Sequence, residues 1–94
     1  MEKERIVGYV YTPKGVFAKT ERICSYPNLG NLMDEKNITI PDLAKYLQSD
    51  LHYVEQKMSG YIWWDLRDML RIKKFLNTDM SLDELFYSDW KIDL

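Results

Sequence analysis

From Ile38 to Gly60 the chain reads ITIPDLAKYLQSDLHYVEQKMSG, a spacing that predicts two short helices joined by a tight turn. Thr39 can cap the first helix, with Asp42 three residues on to close a capping box and Pro41 tolerated in the first turn. Leu43, Ala44 and Leu47 then recur on one face at helical spacing. After Gln48-Ser49 a second helix can begin, capped by Asp50 or Ser49, with Val54 and Met58 facing inward. Gly60 stands where a left-handed residue would stop it. Ala44 is the small residue that two closely crossing helices need. Together these are the marks of a helix-turn-helix, whose second helix has the shape to enter a DNA major groove.

The rest of the chain sets limits on that reading. Ninety-four residues support one domain with a small core. No apolar run approaches membrane-spanning length, and no charged-then-apolar leader precedes a small-residue cleavage site. Cys24 is the single cysteine and has no internal partner, which fits a reducing cytoplasm. It reads as a small residue on a strand. A cytoplasmic chain with no membrane association is expected. The formal charge of −2 runs against a nucleic-acid partner, because phosphate contacts demand Lys or Arg. The charge is uneven, however. The first 28 residues lean basic through Lys3, Arg5, Lys14, Lys19 and Arg22, and the remainder leans acidic.

Residues Arg5 to Cys24 predict a β-hairpin. RIVGYVY and VFAKTERIC are rich in β-branched and aromatic residues. Between them, Thr12-Pro13-Lys14-Gly15 is a turn in which Pro13 presets φ and Gly15 accepts a positive one. Gly8 inside the first strand suggests a bulge or a close neighbour. A two-stranded hairpin is marginal alone, so it must pack on the helices or pair with another chain. Asn28 can cap a short helix over Leu29 to Lys36, with Asn37 as its stop. Asp65, with Asp68 in capping-box position, opens a longer helix on which Leu66, Met69, Leu70, Ile72 or Leu76 recur. Asn77-Thr78-Asp79 ends it, and Ser81 with Glu84 opens a last short helix through Leu82, Leu85 and Phe86. The tail from Tyr87 to Leu94 has no clear period. The expected fold is mainly α: an N-terminal β-hairpin over residues 1–27 and a compact five-helix unit over residues 28–94.

Leu43-Ala44, Val54 with Met58, Ser59-Gly60, Trp64-Asp65-Leu66 and the SLDELF run from Ser81 to Phe86 together carry a resemblance. From about Leu29 to Phe86 the chain resembles the Cro/C1-type (xenobiotic-response-element) helix-turn-helix family of small phage and bacterial repressors. The nearest look is to phage-type regulators of low-GC Gram-positive bacteria. The hairpin lies outside the family pattern, and Gln48 stands where Gly is usual. The resemblance implies a sequence-specific DNA-binding repressor acting as a homodimer on a palindromic double-stranded operator.

On that reading, Leu51, His52, Glu55, Gln56 and Ser59 face the bases. Gln56 has the amide that pairs in two places with adenine, and Glu55 can accept from cytosine N4. Thr39, Lys57, Tyr61, Arg67 and Lys14 are the expected phosphate contacts, helped by the N-terminal dipole of the motif's first helix. Trp64 reads as core, Tyr61 and Trp63 as exposed aromatics of an interface, and Tyr53 as packed on the preceding helix. Arg67, Arg71, Lys73 and Lys74 read first as a solvated helix face. No His or Cys cluster, phosphate-binding Gly loop or nucleophile–base constellation is present, so no catalytic residue, metal ligand or cofactor is expected. The exposed side chains also include Asp50 and Glu55, a poor electrostatic match to DNA. They favour an alternative in which the helix-turn-helix scaffold binds a protein instead, as an inhibitor or antirepressor whose acidic surface imitates DNA.

Overall fold

The computed structural model describes residues 1–89. Glu4–Thr12 (β1) and Gly15–Arg22 (β2) pair antiparallel around the two-residue connection Pro13-Lys14. Thr12 Oγ1 donates to the Gly15 carbonyl at 3.0 Å and accepts from the Lys14 amide at 3.3 Å, and Gly15 takes φ 137°. The register shifts between Ile6 and Gly8 and leaves Val7 unpaired, a bulge beside the glycine that suggests one. Beyond it the ribbon projects freely: every residue from Tyr9 to Thr20 is exposed. Of the two expectations for the hairpin, packing on the helices holds only at its root.

That root is stitched to the helices by the segment after β2. The Ser25 amide donates to the Met58 carbonyl at 2.9 Å, and its hydroxyl donates to the Ser59 carbonyl at 2.5 Å. The Asp89 amide donates to the Ser25 carbonyl at 3.1 Å, while its carboxylate meets Lys3 at 2.6 Å and Arg22 at 3.1 Å. Cys24 lies just past β2 rather than on it and is buried. Its thiol donates to the Tyr26 carbonyl at 3.4 Å, and burial pushes its pKa up, away from the reactive thiolate.

Five helices follow among the described residues: Pro27–Glu35 (α1), Ile40–Leu47 (α2), Leu51–Ser59 (α3), Leu66–Leu76 (α4) and Leu82–Leu85 (α5). The first differs from expectation at its start. Pro27, with φ already suited to a first helical residue, opens α1 after Tyr26, which makes no side-chain cap. Asn28 is therefore inside the helix, and its amide donates to the Glu84 carbonyl at 2.7 Å, tying α1 to α5. Asn37 does stop α1, at φ 57°, with its own amide on Asp34 O and that of Ile38 on Met33 O.

The α2–α3 unit forms as its residues dictate. Both halves of the capping box are made, Asp42 N to Thr39 Oγ1 at 3.2 Å and Thr39 N to Asp42 Oδ2 at 2.9 Å. Gln48 turns the chain in the left-handed region at φ 53°. Asp50 caps α3 through the amides of His52 and Tyr53 at 2.9 and 3.3 Å, and Gly60 ends it at φ 94°. For α4 only half of the expected box exists. Asp65 accepts from the Asp68 amide at 2.7 Å, but the Asp68 carboxylate turns instead to Lys57. Ser81 caps α5 through the Glu84 amide at 3.2 Å.

Leu29, Met33, Leu43, Val54, Met58, Ile72, Leu76 and Leu85 are fully buried. They join α2 to α3 and α4, and α5 to α1 and α4. Trp64 is core, as its position in the resemblance implies, and meets the Phe86 ring edge-on at 6.1 Å. The inward face of α4 differs from the expected one. Leu66 and Leu70 are 62% and 52% exposed, whereas Ile72 and Leu76 are buried. Phe75 shares that inner side, its ring stacked on Tyr46 at 4.1 Å. Leu66 and Leu70 lie one helical step off the stripe that Ile72, Phe75 and Leu76 define. Among the described residues, no helix is long and apolar enough to cross a membrane.

Candidate nucleic-acid interface

The face of α3 divides along its length. At its N-terminal end Leu51, His52 and Tyr53 are exposed. Tyr53, expected to pack on the preceding helix, is 44% exposed. Its ring lies 4.6 Å from the Lys57 ammonium one turn along its own helix. Glu55 and Gln56 come next, half-buried, and they line one wall of a cleft of about 190 Å³. The opposite wall is the hairpin root, with Arg5, Glu21, Arg22 and Ile23, while Ile40, His52, Ser59 and Tyr61 complete the lining.

Two of the expected contact residues are withdrawn from solvent. Ser59 is only 5% exposed. Its hydroxyl donates to the Gln56 carbonyl at 2.9 Å, and its own carbonyl is taken by Ser25. The hairpin root covers it, so it is no base reader. Lys57 is 6% exposed and its ammonium donates to Asp68 at 2.7 Å. It also sits 5.4 Å from the Trp64 ring centroid. Spacing puts it on the same inward stripe as Val54 and Met58, so its charge is used inside the domain and cannot reach a phosphate.

The remaining phosphate candidates stand around α3 at different distances. Thr39 is exposed at the N-terminus of α2, where its hydroxyl oxygen is already the cap. The backbone amide of Thr39 holds the Asp42 carboxyl below the usual carboxylate range, with the hydroxyl adding to the effect. Tyr61, at the cleft edge, and Trp63 are each 69% exposed. Arg67 is exposed in the first turn of α4. Arg71 is not on a solvated face: it is half-buried, donates to the Tyr46 carbonyl at 3.3 Å and lies over the Tyr46 ring. Lys14 is exposed at the hairpin tip, roughly 30 Å from the root by strand length, so the fold does not bring it to α3.

Sequence reasoning missed the hairpin wall of the cleft. Arg5 pairs there with Glu21, and Arg22 with Asp89, so the cations nearest α3 are already matched by carboxylates. No spacing along the chain signals that approach; it follows from Ser25 docking on the end of α3. Among the described residues, no three His, Cys, Asp or Glu side chains gather as a metal site. Comparison with known protein families, curated proteins and solved structures finds no match.

Proposed function

We propose that this chain is a sequence-specific DNA-binding regulator of Cro/C1 helix-turn-helix type, acting as a repressor through the N-terminal half of α3. One observation carries the reading. The α2–turn–α3 unit is capped at every end, and the side chains of Leu51 and His52 stand exposed beyond its Asp50 cap. Presenting the N-terminal residues of a second helix is how such a unit meets base edges. Leu51 offers an apolar surface for a thymine methyl group. His52, Glu55 and Gln56 offer hydrogen bonds. Thr39, Tyr61 and Arg67 flank them as phosphate contacts, and the positive end of α2 supports an anion there. The base-reading set is thus narrower than the sequence suggests, because Ser59 is closed off.

The test is Gln56→Ala, measured on a selected specific duplex and on an unrelated one. One good two-point base contact accounts for about 1–3 kcal/mol of discrimination. The specific complex should weaken by that amount while the non-specific one stays unchanged. Equal loss on both would remove Gln56 from the reading set.

A second reading has its own support. Lys57 is the only Lys or Arg on α3, and it is buried against Asp68. What α3 presents is therefore neutral or acidic, through Asp50 and Glu55, which suits a basic protein partner as well as a base edge. On that reading the chain forms no complex with any duplex at low salt.

A further inference from the structure

In the cleft between the hairpin root and α3, two half-buried polar side chains, Glu55 and Gln56, line one wall. Among the described residues, the Glu55 carboxylate and the Gln56 side-chain amide make no hydrogen bond or ion pair, Gln56 being bonded only through its backbone. Partly withdrawn from water and unmatched by protein, they are placed as the few convergent polar groups of a binding cleft are. Across from them, Arg5 gives Glu21 its Nε and Nη2, both on the same carboxylate oxygen. A guanidinium carries five donors, so Nη1 remains for a second acceptor. Ile23 and Ile40, both half-buried, and the Tyr61 ring supply the apolar part of the lining.

We propose that this cleft binds a free apolar α-amino acid, its ammonium on Glu55 and Gln56, its carboxylate on Arg5 and its side chain against Ile23 and Ile40. Three observations select that chemistry. Charge comes first. The lining carries two cations, Arg5 and Arg22, and two carboxylates, Glu21 and Glu55. Lys3 and Asp89, which extend the network behind Arg22, add one charge of each sign. A ligand of net charge gains on one wall and loses on the other, and an uncharged one leaves Glu55 unmatched. A zwitterion with its ammonium toward α3 and its carboxylate toward the hairpin gains on both walls. Size comes second. The 190 Å³ of the cleft falls below the roughly 300–1,000 Å³ of sites for drug-sized ligands. It suits a molecule the size of valine or leucine and excludes a nucleotide. The third is the apolar lining, which a branched side chain covers and glycine does not.

The site stands independently of what α3 reads. Its regulatory consequence rests on the proposed function: an amino acid held by Glu55 and Gln56 occupies two of the base readers, so saturating ligand should release the specific duplex.

The test is titration of the native chain, without DNA, by two-dimensional proton–nitrogen NMR, with glycine, L-valine and L-leucine as probes. Valine and leucine should shift the amides of Ile23, Ile40, Glu55 and Gln56 with a Kd of about 1 mM or tighter. Glycine should bind about tenfold more weakly, and so should isoamylamine and isocaproate, which keep an apolar branch but only one charged end. Glu55→Gln and Arg5→Gln should each weaken leucine about tenfold with the rest of the spectrum in place. Lys14→Gln, at the hairpin tip, should change nothing. Because Arg5 also pairs with Glu21, Glu55→Gln decides the matter if the Arg5 variant disturbs the hairpin root. No localised shift with valine or leucine at tens of millimolar overturns the inference. So does glycine, isoamylamine or isocaproate binding as tightly as leucine, or a Glu55→Gln variant that binds leucine like the native chain. Failure of this titration strikes the site and leaves the DNA reading standing, since no duplex is present.

Discussion

Lys57 on α3 and Asp68 on α4 form an ion pair at 2.7 Å, with side chains only 7% and 17% exposed. The rings of Tyr53 and Trp64 lie over the same ammonium. Removing one member of a buried pair leaves the other charge desolvated and unmatched, which costs several kcal/mol when burial is complete. Here Asp68 keeps some water. Lys57→Ala should therefore lower the unfolding free energy in urea by about 2–3 kcal/mol. The salt dependence of any DNA complex should not change, because a residue that neutralises no phosphate releases no counterions.

Gly60 is required twice over. Its φ is 94°, and a Cβ there would stand 3.0 Å from Ser25 Oγ and 3.3 Å from Ser25 Cβ. The hydroxyl cannot simply swing away, since it is bonded to the Ser59 carbonyl. Gly60→Ala should cost about 1–3 kcal/mol of stability. Gly8→Ala is the control, for its Cβ would meet nothing within 4 Å, and thermal melts of the two variants should separate clearly.

Asp89 clamps the hairpin root through Lys3 and Arg22. The hydrogen bond from Lys3 chiefly, with the charge of both cations, holds its carboxyl below the ordinary range. A carboxyl depressed in the folded state stabilises the fold above its unfolded pKa, about 3.9. That contribution is lost as pH falls through the lower folded value. Asp89→Asn should therefore melt less steeply with acid below about pH 4 than the native chain, from a lower plateau near neutrality. Asp42, also depressed, should retain its share of the acid sensitivity in that variant.

Local signals carried most of the fold. Caps at Thr39, Asp50, Asp65 and Ser81, and the stops at Asn37, Gly60 and Asn77, are each a short-range contest between backbone amides and one side chain. They are legible for that reason. Gln48 adopts the left-handed turn without glycine because the helices on either side impose it. Long-range pairings were not legible. Asp68 reads as half of a capping box until Lys57, eleven residues earlier, takes its carboxylate. Asn28 reads as a cap until Glu84 offers a carbonyl. Leu66 and Leu70 fit an apolar stripe, but the face of α4 was decided by where Phe75 meets Tyr46. The site suffered from the same blindness. Ser59 and Gln56 are helix-surface residues by spacing, but Ser25 docks on the end of α3 at buried Ser59, and half-buried Gln56 lines the cleft against the hairpin root.

On the proposed function, the N-terminal half of α3 reads base edges. Its most direct test is selection of bound duplexes from a randomised pool at low salt, using the native chain and His52→Ala in parallel. The native chain should enrich an inverted repeat with half-sites about 10 base pairs apart. His52→Ala should lose its preference at one position of each half-site. A pool with no enrichment over unrelated duplexes would contradict it and leave α3 as a protein-binding face.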